Sequence, residues 1–76
     1  MDKATQRAKI LNYCGEHGSI TIREAFVRLG INSPSKRISE MRLSGSYDVQ
    51  AEVETKIKDS GDIVRYKRYY ISEVAQ

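Results

Sequence analysis

The sequence predicts an α+β fold in which three helices are followed by a two-stranded antiparallel β-hairpin. Up to residue 45, apolar residues recur with the 3.6-residue period of amphipathic helices, and glycines separate the helical segments. From Tyr47 to Ile57 the period changes to two, which is typical of a half-buried strand. A turn sequence at residues 59–62 then precedes a second β-rich segment. With 76 residues, 39% of them hydrophobic, the chain is expected to form one domain with a thin core.

The first helix is predicted over residues 3–16. Asp2 is placed to cap it, because a carboxylate accepts hydrogen bonds from the unpaired amides of the first turn. Gly15 and Gly18 are expected to end it. The residues expected on its buried stripe are Ala4, Ala8 and Leu11, broadened by Ile10 and Cys14. A connector follows, in which a strand of one or two residues near Ile20 is allowed.

The second helix is predicted over residues 22–29 and has signals at both ends. Thr21 and Glu24 have the spacing of a capping box, in which each side chain binds the backbone amide of the other residue. Gly30 falls just beyond the last turn, where a left-handed conformation is favoured. The apolar face is expected to consist of Ile22, Ala25, Phe26 and Leu29.

The third helix is predicted over residues 34–44 and follows the second after a tight turn. Ser33 is a suitable N-cap, and Pro34 suits the first helical position, where its missing amide costs nothing. Pro34, Ile38 and Met41 share one face, which is expected to be buried. The residues on the opposite face are Lys36, Ser39, Glu40 and Leu43. This helix therefore presents a polar, partly basic face to solvent.

The hairpin is predicted with strands at residues 47–58 and 63–71. A two-residue loop places Ile57 opposite Val64 and Glu54 opposite Lys67, a favourable cross-strand charge pair. That register directs Arg68 to the inner face and leaves Tyr69 and Ile71 outside. A bulge of one residue would reverse the two faces, and the sequence leaves this alternative open.

Several classes of protein are excluded by what the sequence lacks. Its apolar runs reach three residues, whereas a transmembrane helix needs about 20, so neither a membrane span nor a signal peptide is expected. One cysteine permits no internal disulfide. Cys14 and His17 are too few to form a structural zinc site, which needs about four ligands. We expect a cytoplasmic protein, without a cofactor and without enzymatic activity.

The order of the elements leads to a family resemblance. Two helices joined by a tight turn containing glycine form a helix-turn-helix motif. The stretch that carries the resemblance is ILNYCGEHGSITIREAFVRLGINSPSKRISEMRLSG, in particular EHGSITIREA and LGINSPSKRISEMR. It resembles the winged helix-turn-helix domains, notably the short versions of bacteriophage and prophage genomes, and residues 47–71 look like the wing. The resemblance covers about residues 4–72, and it implies that the protein acts in a prokaryote or an infected host cell. It implies that the third helix enters the major groove and that the wing tip lies near the phosphate backbone of double-stranded DNA.

The resemblance also implies which side chains contact DNA. The expected base-facing residues are Ser35, Lys36, Ser39 and Glu40, which are of types able to pair with base edges. The residues expected to bind phosphates around the helix are Asn32, Ser33, Arg37 and Arg42. The wing would contribute Lys56 and Lys58 before its turn and Arg65 and Lys67 after it.

The distribution of charge departs from a simple DNA-binding pattern. The net charge is +3, but residues 46–62 hold five acidic and two basic residues. The remaining ranges, residues 1–30, 31–45 and 63–76, are each net positive. An acidic first wing strand is poorly suited to a polyanion. Three functions therefore stay open: a transcriptional regulator, an accessory protein of phage excision or replication, and a phage-made inhibitor that binds a host protein through the acidic wing. A homodimer is left open as well.

Overall fold

The computed structural model describes residues 2–74, and its elements follow the predicted order. They are helix α1 (Lys3–His17), strand β1 (Ile20–Thr21), helix α2 (Ile22–Leu29), helix α3 (Pro34–Ser44), strand β2 (Tyr47–Ile57) and strand β3 (Ile63–Glu73). The α+β class with three helices is confirmed. None of the helices within residues 2–74 is long and apolar enough to cross a membrane.

Local hydrogen bonds explain where the helices begin. Asp2 accepts a bond from the Thr5 amide at 2.7 Å. The capping box of α2 is complete: the Thr21 amide donates to Glu24 at 2.9 Å, and the Glu24 amide donates to the Thr21 hydroxyl at 3.1 Å. Ser33 is different, because its side chain makes no capping hydrogen bond and its ψ angle is 67°. Ser33 therefore occupies the predicted N-cap position of α3, but its hydroxyl does not form a capping bond.

The sheet has three antiparallel strands in the order β1-β3-β2, rather than the two of the predicted hairpin. The short segment near Ile20 supplies the third strand, in which Ile20 pairs with Tyr69 and Thr21 pairs with Arg68. This pairing attaches the connector between α1 and α2 to the middle of β3. One end of the hairpin is thereby held against the helices.

The register of the hairpin differs by one residue from the predicted one. Ile57 pairs with Ile63, so Glu54 lies opposite Tyr66 and not opposite Lys67. The cause is a three-residue loop at residues 59–61, closed by a 2.8 Å bond from the Lys58 amide to the Asp62 carbonyl. Gly61 completes this loop with a φ of +88°, which favours glycine.

A shift of one residue exchanges the two faces of a strand. Ile71, which the two-residue loop would place outside, is buried, and Tyr69 packs against the core, so the structure has the reversed faces that the sequence left open. The inner face of the hairpin, where Arg68 was expected, thus carries Tyr69 and Ile71. Arg68 lies half-buried on the other side of the sheet.

The core lies between the three helices and the end of the hairpin that is away from its turn, formed by the start of β2 and the end of β3. Its buried side chains are Ile10, Tyr13, Cys14, Ile20, Ala25, Ile31, Ile38, Met41 and Ile71. Two predicted faces need correction. Ala4 and Ala8 are exposed, because α1 turns Ile10, Tyr13 and Cys14 inward. Phe26 is 56% exposed, so Ala25 is the fully buried residue of α2.

The distal half of the hairpin projects from this core. Pairing of β1 ends at Thr21–Arg68, so residues 53–67 form a two-stranded ribbon, which we call the free ribbon. Val53 and Ile57 are 66% and 70% exposed there, and the prediction of a strand half-buried along its whole length is wrong. The projection gives the molecule its elongated extents of 45 × 26 × 22 Å.

Candidate nucleic-acid interface

Helix α3 presents a largely polar face, interrupted by Leu43, which is 85% exposed, because its other apolar residues point inward. Pro34, Ile38 and Met41 are buried against the core, as their spacing predicts. The side chains exposed on the rest of the helix are Ser35, Lys36, Ser39, Arg42, Leu43 and Ser44. No ion pair within residues 2–74 involves Lys36 or Arg42, so both cations remain available to a partner.

The start of α3 provides groups suited to an anion. Asn32, Ser33 and Ser35 are exposed, and the Ser33 hydroxyl is not occupied by a capping bond. The first amides of a helix lack intrahelical partners and lie at the positive end of its dipole. A phosphate oxygen placed there would accept from backbone amides and from these short polar side chains.

Two of the predicted DNA contacts on α3 have another role in the structure. Arg37 is 6% exposed, and its guanidinium binds Glu40 with Nη2 to Oε2 at 3.2 Å. Glu40 also accepts from Arg7 of α1, with Nη1 to Oε1 at 2.8 Å. In the structure both side chains thus belong to an ion-pair cluster between α3 and α1, and the assignment of a phosphate to Arg37 and of a cytosine to Glu40 stays a prediction.

This Arg7–Glu40–Arg37 bridge holds α3 in place. It joins residues 33 positions apart, so it could not be read from local spacing. Within the described residues, Nε of Arg37 is buried without a hydrogen-bond partner. A buried unpaired donor is costly, so the bridge depends on Glu40 to compensate most of the Arg37 charge.

The wing cations lie on different faces of the free ribbon. Successive side chains of a strand point to opposite faces. Arg65 pairs with Thr55 and Lys67 pairs with Val53, whereas Lys56 pairs with Val64 on the reverse face. Lys58 begins the turn. All four predicted cations are exposed, but they do not all share one face of the ribbon.

A cleft of about 620 Å³ lies between the start of α2 and the wing. Its charged lining consists of Arg23, Glu24, Lys56, Lys58, Lys67 and Arg68. Arg23 was missed at the sequence level, although its place directly after the capped start of α2 is a signal that could have identified it. The lining is strongly basic, since five of its six charged residues are cations and Glu24 is bound to Arg68.

Arg68 anchors the wing at the inner end of this cleft. Its Nε donates to Glu54 at 2.9 Å, and its Nη1 donates to Ser19 at 3.1 Å and to Glu24 at 3.4 Å. Tyr13 also donates its hydroxyl to Glu24 at 3.2 Å. One guanidinium thus ties the base of the free ribbon to the connector and to α2.

The ionisation of these groups is shifted toward their charged forms. The hydrogen bond from Arg68 lowers the pKa of Glu54, and its hydrogen bond to Glu54 raises the pKa of Arg68. Burial alone would raise the pKa of Glu24, but hydrogen bonds from Thr21 and Tyr13 and the charge of Arg68 leave it lowered. The anchor is therefore ionised at neutral pH.

Cys14 and His17 both take part in side-chain packing around α1. Cys14 is buried in the core, where burial raises the pKa of its thiol. The His17 ring packs against Tyr13 with ring centroids 4.3 Å apart. No group of three or more potential metal ligands occurs within residues 2–74.

Comparison with known families agrees with this arrangement. A family model described as a winged helix-turn-helix domain matches residues 5–74. No curated protein and no solved structure matches the chain. The match covers α1 from its third residue onward, all of α2 and α3, and both strands of the wing, which is far more than half of the sequence. The chain therefore belongs to the winged helix-turn-helix domain family.

Proposed function

We propose that the protein binds double-stranded DNA sequence-specifically, by placing α3 in the major groove. The observation that carries this proposal is the exposed polar face of α3, with unpaired Lys36 and Arg42, opposite a buried stripe. A major groove about 12 Å wide accepts one helix, whose outward residues then reach base edges. The family supports DNA binding as the general activity.

The proposal assigns separate roles to the exposed residues. Ser35, Lys36 and Ser39 would contact bases, since a lysine pairs well with guanine and serine can donate or accept. Asn32 and Ser33 would bind phosphate at the start of α3, and Arg42 would bind the backbone further along. On the wing, Arg65 and Lys67 share one face and would approach the flanking phosphates.

We further propose that this binding regulates transcription by occupancy of a promoter site. The support is the resemblance of residues 4–72 to the short winged helix-turn-helix domains of bacteriophage and prophage genomes. An accessory role in excision or replication would use the same contacts at another place in the genome. Footprinting on genomic DNA separates the two roles, since protection would lie at a promoter in one case and beside an attachment site or origin in the other.

Fluorescence anisotropy with genomic fragments tests the DNA proposal. Because bound phosphates release counterions, affinity should fall by at least about tenfold between about 50 and 200 mM salt. Lys36→Ala combined with Arg42→Ala should weaken binding by a further factor of about ten or more. Lys9→Ala, an exposed cation of α1, is the matched control and should change affinity by less than about threefold.

Two results would contradict the proposal. Absence of binding at about 50 mM salt would exclude DNA as the main partner. Wild-type affinity in the doubly substituted protein would exclude the outward face of α3. In either case the acidic strand β2 becomes the surface to examine for a protein partner.

A further inference from the structure

We propose that the outer edge of β2 pairs antiparallel with the same edge of a second copy, with the two-fold axis at Thr55. β2 is an edge strand of 11 residues, and no strand within residues 2–74 covers its outer side. Long uncovered edges invite pairing with another chain. The backbone, the charge pattern and the exposed apolar side chains of the free ribbon all fit this one occupant.

The backbone groups needed for such pairing point in the right direction. The Lys58 amide donates to the Asp62 carbonyl at 2.8 Å, and the Val74 amide donates to the Ser46 carbonyl at 3.0 Å. These bonds bracket the β2–β3 ladder and show that even-numbered residues of β2 bond to β3. In an antiparallel ladder the intervening residues point their N–H and C=O groups away. Val53, Thr55 and Ile57 therefore offer theirs to the outer edge.

The charges of residues 52–58 are self-complementary about Thr55. Their order is Glu-Val-Glu-Thr-Lys-Ile-Lys. A two-fold axis at Thr55 places Glu54 opposite Lys56 of the second copy, and Glu52 opposite Lys58 of the second copy. By symmetry each pair occurs twice, giving four opposite-charge pairs, each of a favourable cross-strand type.

The neighbouring registers are disfavoured by the same pattern. The two β2 strands can shift against each other by two residues without moving any side chain to the other face of the sheet. Such a shift moves the two-fold axis by one residue, to Glu54 or to Lys56. An axis at Glu54 would place that carboxylate opposite itself, and an axis at Lys56 would place that ammonium group opposite itself. Like charges directly opposite one another destabilise a sheet. The sequence of the strand thus selects one alignment.

The pairing also covers apolar surface that the monomer leaves exposed. Val53, Ile57 and Ile63 are 66%, 70% and 63% exposed and lie on one face of the free ribbon. In the proposed dimer, Val53 lies opposite Ile57 of the second copy, with Ile63 beside it. The helices of the two copies lie at opposite ends because the strands are antiparallel. The small interface predicts a weak, concentration-dependent dimer.

Sedimentation velocity at low salt tests the proposal with charge variants. The apparent mass should rise from 8.7 kDa toward twice that value as the concentration is raised to about 1 mM. Glu52→Lys and Lys58→Glu should each raise the dissociation constant by tenfold or more, because each creates two like-charge pairs. Circular dichroism verifies that each variant folds.

An equimolar mixture of the two charge variants should recover the dimer. In a mixed dimer the introduced lysine of one copy faces the introduced glutamate of the other. The second pair is the native one, because Lys58 of the first copy faces Glu52 of the second. Opposite charges are thereby restored at both places, although neither variant pairs well with itself.

A disulfide tests the register independently of the strength of the dimer. Thr55→Cys should crosslink readily under mild oxidation, because directly opposed residues lie about 5.5 Å apart between Cα atoms. Val53→Cys, on the same face and edge, is the matched control and should crosslink at least tenfold more slowly. Equal crosslinking of the two variants, or failure of the mixed charge variants to recover dimer, would overturn the proposal. No DNA is present in either experiment, so its outcome is independent of the proposed DNA binding.

Discussion

Arg68 joins three segments that are far apart in the sequence. Its guanidinium binds Ser19, Glu24 and Glu54, which are 49, 44 and 14 residues away. A two-stranded ribbon has marginal stability on its own. The direction in which the wing projects therefore depends on this side chain and on the β1–β3 pairing beside it.

Replacing this anchor should destabilise the fold. Arg68→Met leaves two half-buried carboxylates without their cation, so we expect the free energy of unfolding to fall by about 1–2 kcal/mol. Arg65→Met, at an exposed position of the same strand, should change it by less than about 0.5 kcal/mol. Urea denaturation followed by circular dichroism measures both. Equal effects of the two substitutions would show that the anchor contributes nothing specific.

The same residues predict a dependence of stability on pH. The pKa values of Glu24 and Glu54 in the folded protein lie below their ordinary value of 4.5. A lowered folded pKa means that the stabilisation is present above about pH 4.5 and is lost as the pH falls through the folded value. Wild-type stability should therefore decrease between about pH 6 and pH 3 more than that of Arg68→Met. Parallel pH profiles in urea titrations would contradict this.

At the scale of the element, α3 depends on an asymmetric ion pair. Arg37 is buried whereas Glu40 is partly exposed, so removing one partner is not equivalent to removing the other. Glu40→Ala leaves a buried guanidinium uncompensated and should cost about 1–3 kcal/mol. Arg37→Met places an apolar chain in the same space and should change stability by less than about 1 kcal/mol. Thermal and urea unfolding measure the difference, and a larger loss for Arg37→Met would show that its charge is needed.

Elements with strong local signals could be predicted from the sequence, whereas long-range contacts could not. The capping box of Thr21 and Glu24 depends on residues three apart, and it is confirmed in detail. The burial of Arg37 depends on Glu40 and on Arg7 in another helix. Helical periodicity does not include such contacts, and for that reason it predicted Arg37 on the solvent-exposed side of α3. The hairpin register depends on whether its loop has two or three residues, and the positive φ of Gly61 decides it.

For the whole molecule, the small net charge conceals a separation of roles. The positive groups that stay unpaired on α3 are Lys36 and Arg42, whereas the acidic groups concentrate on β2. In a DNA-binding domain, acidic residues along a wing strand would repel phosphates. Pairing of that strand with its own copy would neutralise Glu52 and Glu54 while leaving α3 uncovered. The two proposals are thus compatible on one molecule.

Together they predict cooperative binding to DNA with two half-sites. A dimer presents two copies of α3, and each would occupy one half-site of a symmetric DNA sequence. Such a sequence can be obtained from random DNA by repeated rounds of selection for binding to the protein. Glu52→Lys should lower the affinity for the double site by about tenfold and reduce the cooperativity. It should leave the affinity for an isolated half-site within about threefold of wild type, since Glu52 lies outside the proposed DNA contacts. The double variant Glu52→Lys/Lys58→Glu restores complementary pairs and should recover the cooperativity. Gel-shift titrations of the double and single sites measure all three proteins, and independent filling of the two half-sites by wild type would contradict a dimer that acts on DNA.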